Sequence, residues 1–167
     1  MAIDAYLLSQ IFAAVAFGFG IVAFQCTSRR RILVCKATQM IFYGVHFVAL
    51  GRHGAAALMA VNAARDLTAL RTTRRSVAVI FILLAVVGFL ATVTHPLGYL
   101  GLVAVIFGSI GSFAAREGVM RLMYMTGCSL WLAHNILLGS PVAILMEACF
   151  LASQIVGLWR FQRRTAK

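Results

Sequence analysis

Charge is what this chain has least of. Only 11% of its 167 residues are charged, 62% are hydrophobic, and the mean hydropathy is +0.95. So apolar a chain does not fold as a globule in water, and its composition is that of an integral membrane protein. Proline is confined to Pro96 and Pro141, both at expected helix starts. The four cysteines, Cys26, Cys35, Cys128 and Cys149, form no CxxC and no His/Cys ligand spacing, so they read as small packing residues, and no metal site is expected. GxSxG, Walker and HExxH motifs are missing too. The commonest hydrolase, nucleotide and metalloprotease signatures are thereby excluded, and neither an enzyme nor a cofactor is expected.

What is present is a series of long apolar runs. A hydrocarbon core roughly 30 Å thick takes about 20 apolar residues per helical span. Backbone groups in lipid must bond internally, and runs without strict alternation select helices over a barrel. The runs predict helices over 5–26, 32–50, 54–71, 76–94, 97–115, 120–138 and 141–159, joined by short loops and ending in the basic tail QRRTAK. The fold class expected is an all-α integral membrane protein with seven transmembrane helices in a single membrane domain. The first run is followed by its basic residues, Arg29, Arg30 and Arg31, whereas a secretory signal has them in front; helix 1 is expected to stay in the mature protein.

The net charge of +11 is distributed by loop. Arg29, Arg30, Arg31 and Lys36 fall between helices 1 and 2, and Arg71, Arg74 and Arg75 between 3 and 4. Arg116 and Arg121 fall between 5 and 6, and Arg160, Arg163, Arg164 and Lys167 at the end, while the opposite loops hold only Arg52. Every second loop is basic, as the positive-inside rule requires of seven spans. The N-terminus is therefore expected outside and the C-terminus, with Cys26 and Cys35 near the same face, in a reducing cytoplasm. The basic clusters read as topology signals attracted to anionic headgroups of the bilayer, and nucleic acid is not expected as a partner. Whether the protein forms a homo-oligomer stays open.

Sliding one half of the chain against the other reveals a repeat. An offset of 88 residues aligns 38–75 with 126–163, and nine of the 38 pairs are identical, among them His46/His134, Gly51/Gly139 and Arg75/Arg163. Composition alone gives about three or four. A three-helix unit starts and ends on opposite sides of the membrane, so tandem copies need one extra helix between them to run in the same sense. SVAVIFILLAVVGFLATVT has no ionisable residue and resembles neither unit. The expected plan is 3+1+3: a unit over 1–75, a linker helix over 76–96 and a second unit over 97–167, the repeats parallel about an axis along the membrane normal.

The run from SQIFAAVAFGFGIVAFQ through RRRILVCKATQMIFYGVHFVALG and AALMAVNAARDL to IVGLWRFQRR resembles the YgjV-type bacterial inner membrane proteins over nearly the whole chain, which implies the bacterial inner membrane as the location. The 3+1+3 plan is also similar to the SWEET sugar transporters and the PnuC-type vitamin-precursor transporters. SWEET proteins use a proline hinge in the first helix of each unit, and helices 1 and 5 here have none; glycines Gly18, Gly20, Gly108 and Gly111 stand there instead. The SWEET resemblance implies a site with Asn62 in helix 3 and Trp131 in helix 6, but the position matching Asn62 in helix 7 is Phe150.

Ionisable groups inside spans are costly and face the bundle interior or a water-filled path. Asn62 and Asp66 share a helix face, and Arg65 lies about 100° round from Asp66. Adjacent residues on a helix do not face each other, so Arg65 and Asp66 are each expected to find a partner elsewhere. Arg65 could also snorkel towards the cytoplasmic boundary. The pair reads either as a structural ion pair or anchor, or as part of a path. Glu147 and Gln154 share a face of helix 7; Glu147 is either a proton-binding group or the partner of a core histidine. His46 and His134 are repeat equivalents, with Tyr43 and Trp131 three residues before them; they read either as packed core residues or as gate or proton-linked groups.

Two functions remain in play. One is a transporter of a small polar solute by SWEET-like alternating access, with Asn62, Asp66, Trp131, Glu147 and Gln154 contacting the solute and His46, His134 and Tyr43 towards a gate. The other is a non-transporting membrane module, a subunit or assembly factor that binds other membrane proteins through the small-residue faces of helices 3 and 7.

Overall fold

The computed structural model describes residues 2–92 and 96–165. Among them are seven helices and no strand: α1 (Ala2–Gln25), α2 (Arg29–Ala49), α3 (His53–Ala69), α4 (Arg75–Thr92), α5 (Gly98–Phe113), α6 (Glu117–Leu138) and α7 (Pro141–Thr165). These agree with the sequence-based spans to within a few residues except at the C-terminal end. There α7 runs to Thr165, where a tail was expected beyond 159. The Arg163 guanidinium lies 3.7 Å from the centre of the Trp159 ring one turn back, and cations in a last turn complement the helix dipole.

The surface is inverted relative to a protein in water. Leu7, Leu8, Ile11, Val79, Ile80, Leu83, Val87 and Leu90 are exposed, while Ser9, Gln39, Asp66, Ser109, Ser112 and Gln154 are buried. Large apolar side chains pointing outward and polar ones pointing inward suit a hydrocarbon surrounding. Over Ala5–Gln25, Arg29–Ala49 and Ala143–Arg164 the helices are long and apolar enough to cross a bilayer; Arg75–Ala91 and Gly98–Phe113 are apolar but shorter. At 17 residues, α3 is about 26 Å long at the helical rise, short of a roughly 30 Å core.

The chain divides into two compact units, Met1–Arg71 and Thr72–Lys167. In the first, α2 packs on both α1 and α3. Phe42 of α2 lies between Phe12 and Phe19 of α1, ring centres 5.9 and 5.8 Å away, and small residues, Ala16, Ala23 and Ala37, allow the close approach. The connection of 26–28 ends in Ser28, whose hydroxyl accepts from Arg31 N and caps α2. Arg29 then donates from Nη2 to the Ala69 carbonyl at 2.8 Å, satisfying one of the four acceptors that a helix C-terminus leaves without a partner.

In the second unit α4 packs on α5, α5 on α6 and α6 on α7. The α5–α6 contact is made at glycines: a Cβ on Gly111 would come within 3.3 Å of the Met120 carbonyl oxygen and one on Gly127 within 3.0 Å of the Ala104 carbonyl oxygen, so only glycine allows the two backbones so close. Ser109 and Ser112 donate to the carbonyls of Val105 and Gly108 one turn back, at 2.9 and 3.0 Å, and Ser112 also meets the Tyr124 hydroxyl at 2.9 Å. Such internal bonds let hydroxyls lie inside a membrane bundle.

α2 and α6 end alike. Gly51 follows α2 with φ +68 and Gly139 caps α6 with φ +67, in the left-handed region that an L side chain enters at a cost of about 1–2 kcal/mol. Gly51→Ala and Gly139→Ala should each lower the stability of the detergent-purified protein by about that amount. Gly18→Ala, at a mid-helix glycine with no atom within 4 Å of an added Cβ, should leave it unchanged or raise it. Thermal unfolding of the three variants compares them directly.

Candidate functional site

Of the polar clusters among the described residues, four bear on function. On α3, Arg65 donates from Nε to Asp66 Oδ1 at 3.0 Å and from Nη1 to Asn62 Oδ1 at 2.9 Å. The side chains of Arg65 and Asp66 are 7% and 0% exposed. The expectation that neighbouring residues must seek separate partners, or that Arg65 snorkels away, is thus corrected. Side chains on a helix lean towards its N-terminus, so the guanidinium folds back over Asn62 one turn earlier, and Nε, partway along the stem, passes Asp66. Both ions remain buried, each held by charge-assisted bonds.

On α6 and α7, Cys128 donates from Sγ to Glu147 Oε2 at 3.1 Å and approaches the Glu147 carbonyl oxygen at 3.5 Å. The sequence offered a histidine as the structural partner of Glu147 and read Cys128 as packing alone; the neighbour is that cysteine. One helical turn from Phe150, Gln154 is 3% exposed, and among the described residues its Oε1 has no hydrogen-bond partner. A buried amide oxygen in that state is uncommon and calls for an explanation in a ligand, water or ion.

The histidines form the third cluster, in two copies. His46 Nδ1 lies 2.8 Å from the Ser9 carbonyl oxygen, and His134 Nδ1 lies 2.9 Å from that of Leu97. A carbonyl only accepts, so in the neutral ring Nδ1 carries the proton and Nε2 is left as an acceptor. Residues 9 and 97 are separated by the same 88 positions as 46 and 134. Ala16 and Ala104, again 88 apart, are both buried. The His134 ring stands edge-on to Trp131 at 5.2 Å, and the Trp131 indole covers Gly101, where an added Cβ would come within 2.9 Å of the ring. His46 meets Phe47 instead, at 5.0 Å, and Tyr43 keeps its hydroxyl oxygen buried.

The fourth cluster was not foreseen. Arg121, assigned from sequence to a basic loop, is 3% exposed and donates from Nε and Nη2 to Glu117 Oε1 at 3.1 and 2.7 Å, with the Phe161 ring of α7 on the guanidinium at 5.5 Å. The i,i+4 spacing of Glu117 and Arg121 carried that signal. Among the described residues no three His, Cys, Asp or Glu side chains converge as metal ligands do.

Comparison with known proteins agrees with the inverted surface and the apolar helices. Residues 7–165 match a family described as bacterial inner membrane protein, Imp-YgjV. The chain belongs to this YgjV family. The inner membrane protein YgjV of Escherichia coli strain K12 is 32% identical over 163 residues, spanning 96% of this chain and 89% of that protein. No solved structure matches the chain. An inner-membrane setting suits the burial of Arg65 and Asp66 as a bonded pair, because ionised groups inside membrane bundles face the interior and pair with one another.

Removing one member of such a pair leaves the other charge uncompensated, which costs about 3–5 kcal/mol, whereas replacing both by apolar residues is close to neutral. Asp66→Ala should therefore lower the unfolding temperature sharply, and the double variant Arg65→Met, Asp66→Leu should recover most of the loss. A double-mutant cycle by thermal unfolding in detergent gives the coupling, and additive single effects would contradict it.

Proposed function

We propose that this YgjV-family protein is an inner-membrane carrier of a small polar solute, built from two three-helix repeats in a 3+1+3 plan, with the N-terminus outside. The observation that carries the reading is the recurrence, 88 residues apart, of a histidine bonded through Nδ1 to a backbone carbonyl, Ser9 of α1 for His46 and Leu97 at the N-cap of α5 for His134. Two units that hold the same residue by the same bond are what a parallel internal repeat produces, and parallel repeats are a common plan of secondary transporters. The left-handed glycines Gly51 and Gly139 support it at the level of the backbone.

Each unit supplies its own polar residues for the solute. In the first these are Asn62 and Asp66, oriented by Arg65; in the second, Glu147, Gln154 and Trp131. His46 and His134 present Nε2 as a proton or hydrogen-bond acceptor, with Tyr43 beside the first, and act as gating or proton-linked groups. The Gln154 Oε1, buried and lacking a partner among the described residues, supports a role in which its hydrogen-bond partner is the solute.

A thermal-shift screen of the purified protein against sugars, nucleosides, vitamins and amino acids identifies a ligand, and flux of that ligand into proteoliposomes tests the function. Gln154→Met keeps the side-chain volume and removes the amide, so the fold should be unaffected while uptake falls roughly tenfold, the worth of one hydrogen bond. Asn62→Ala should abolish uptake. Wild-type uptake with Gln154→Met and Asn62→Ala would remove both residues from the site. A flat screen together with co-purification of one stoichiometric membrane partner would instead favour the non-transporting module.

A further inference from the structure

Two cysteines that the sequence treats as unrelated packing residues meet in the first unit. Cys26 follows the last turn of α1, its backbone N–H bonded to Val22 and Ala23 carbonyls, and Cys35 lies near the end of the second turn of α2. The short connection of 26–28 folds α2 back onto α1, and the two Sγ atoms come to 3.9 Å. Both cysteines are partly exposed and neither is in a disulfide. Cys128 is placed differently, buried with its thiol on Glu147, and Cys149 lies on α7 in the other unit.

From this juxtaposition we propose that Cys26 and Cys35 are a reversible dithiol centre, which closes to a disulfide joining the end of α1 to α2. A disulfide needs its sulfurs about 2 Å apart, so closure asks them to approach by roughly 2 Å, within the reach of χ1 rotation. The oxidant is a low-molecular-weight disulfide of the glutathione class. The thiolate of one cysteine attacks a sulfur of that disulfide, forming a mixed disulfide and expelling one small thiolate, which takes up a proton. The thiolate of the second cysteine then attacks the protein sulfur of the mixed disulfide, forming the Cys26–Cys35 bond and expelling the second small thiolate. Two protein thiols are oxidised and one small disulfide is reduced to two thiols. In a reducing compartment the equilibrium keeps the pair open, and a more oxidising poise closes it.

Detergent-purified full-length protein is equilibrated with glutathione buffers of graded oxidised fraction, quenched by alkylation and read by intact mass and by peptide mapping. The expected result is a species that carries two alkyl groups fewer than the identically quenched reduced protein and, without the quench, is about 2 Da lighter, as two lost hydrogens require. Its cross-linked peptides should pair Cys26 with Cys35, and dithiothreitol should return it to the reduced mass. Cys26→Ser and Cys35→Ser should each stop at a mixed disulfide on the remaining cysteine, while Cys149→Ser should behave as the parent. Glutathione adducts without an internal bond in the wild type would overturn the proposal. So would cross-links distributed over all four cysteines, or thiols that stay fully alkylatable at every oxidised fraction.

Discussion

Hydrocarbon accepts no hydrogen bonds, and backbone groups that enter it must be bonded from within the protein. That constraint accounts for the helices, since only an intrahelical ladder satisfies the backbone of one segment. It accounts equally for the smaller devices: Ser109 and Ser112 bond the preceding turn, Arg29 reaches the Ala69 carbonyl at the end of α3, and the histidines bond backbone carbonyls of Ser9 and Leu97. Close packing follows as well, because lipid does not drive helices together and small residues must let backbones touch, as Gly127 does against Ala104.

Charge is where the constraint is most severe. Arg65 and Asp66 are buried at 7% and 0% exposure on α3, so neither reaches solvent. The guanidinium therefore bridges Asn62 and Asp66, so one cation satisfies two neighbours on its own helix. Arg121 and Glu117 solve the same problem on α6, with Phe161 covering the cation. These pairs contribute order rather than large net stability, because desolvation offsets most of their attraction. They hold particular side chains in particular directions, which is also what a binding surface needs.

The two units share three features at one spacing of 88 residues: the histidine with its carbonyl, the left-handed glycine at the end of α2 and α6, and a buried alanine, Ala16 and Ala104. Their differences are as informative. The ring beside the histidine is Trp131 in one unit and Phe47 in the other, and the ion pair of α3 has Ser153 and Gln154 in its place on α7. Two frames held by common bonds thus carry different chemistry.

Seven helices and their approximate ends were legible from apolar runs, because local hydrophobicity dictates them, and the common spacing of His46 and His134 from self-similarity. The family could also be read from the order of its segments. What the residues alone did not decide is which side chain reaches which. Arg65 folds onto its neighbour, Glu147 meets Cys128, Arg121 turns inward, and Cys26 and Cys35 come sulfur to sulfur. Each depends on a rotamer choice or on the rotation of one helix against the next. Those are set by packing among residues far apart in the chain, and only the tertiary structure contains them.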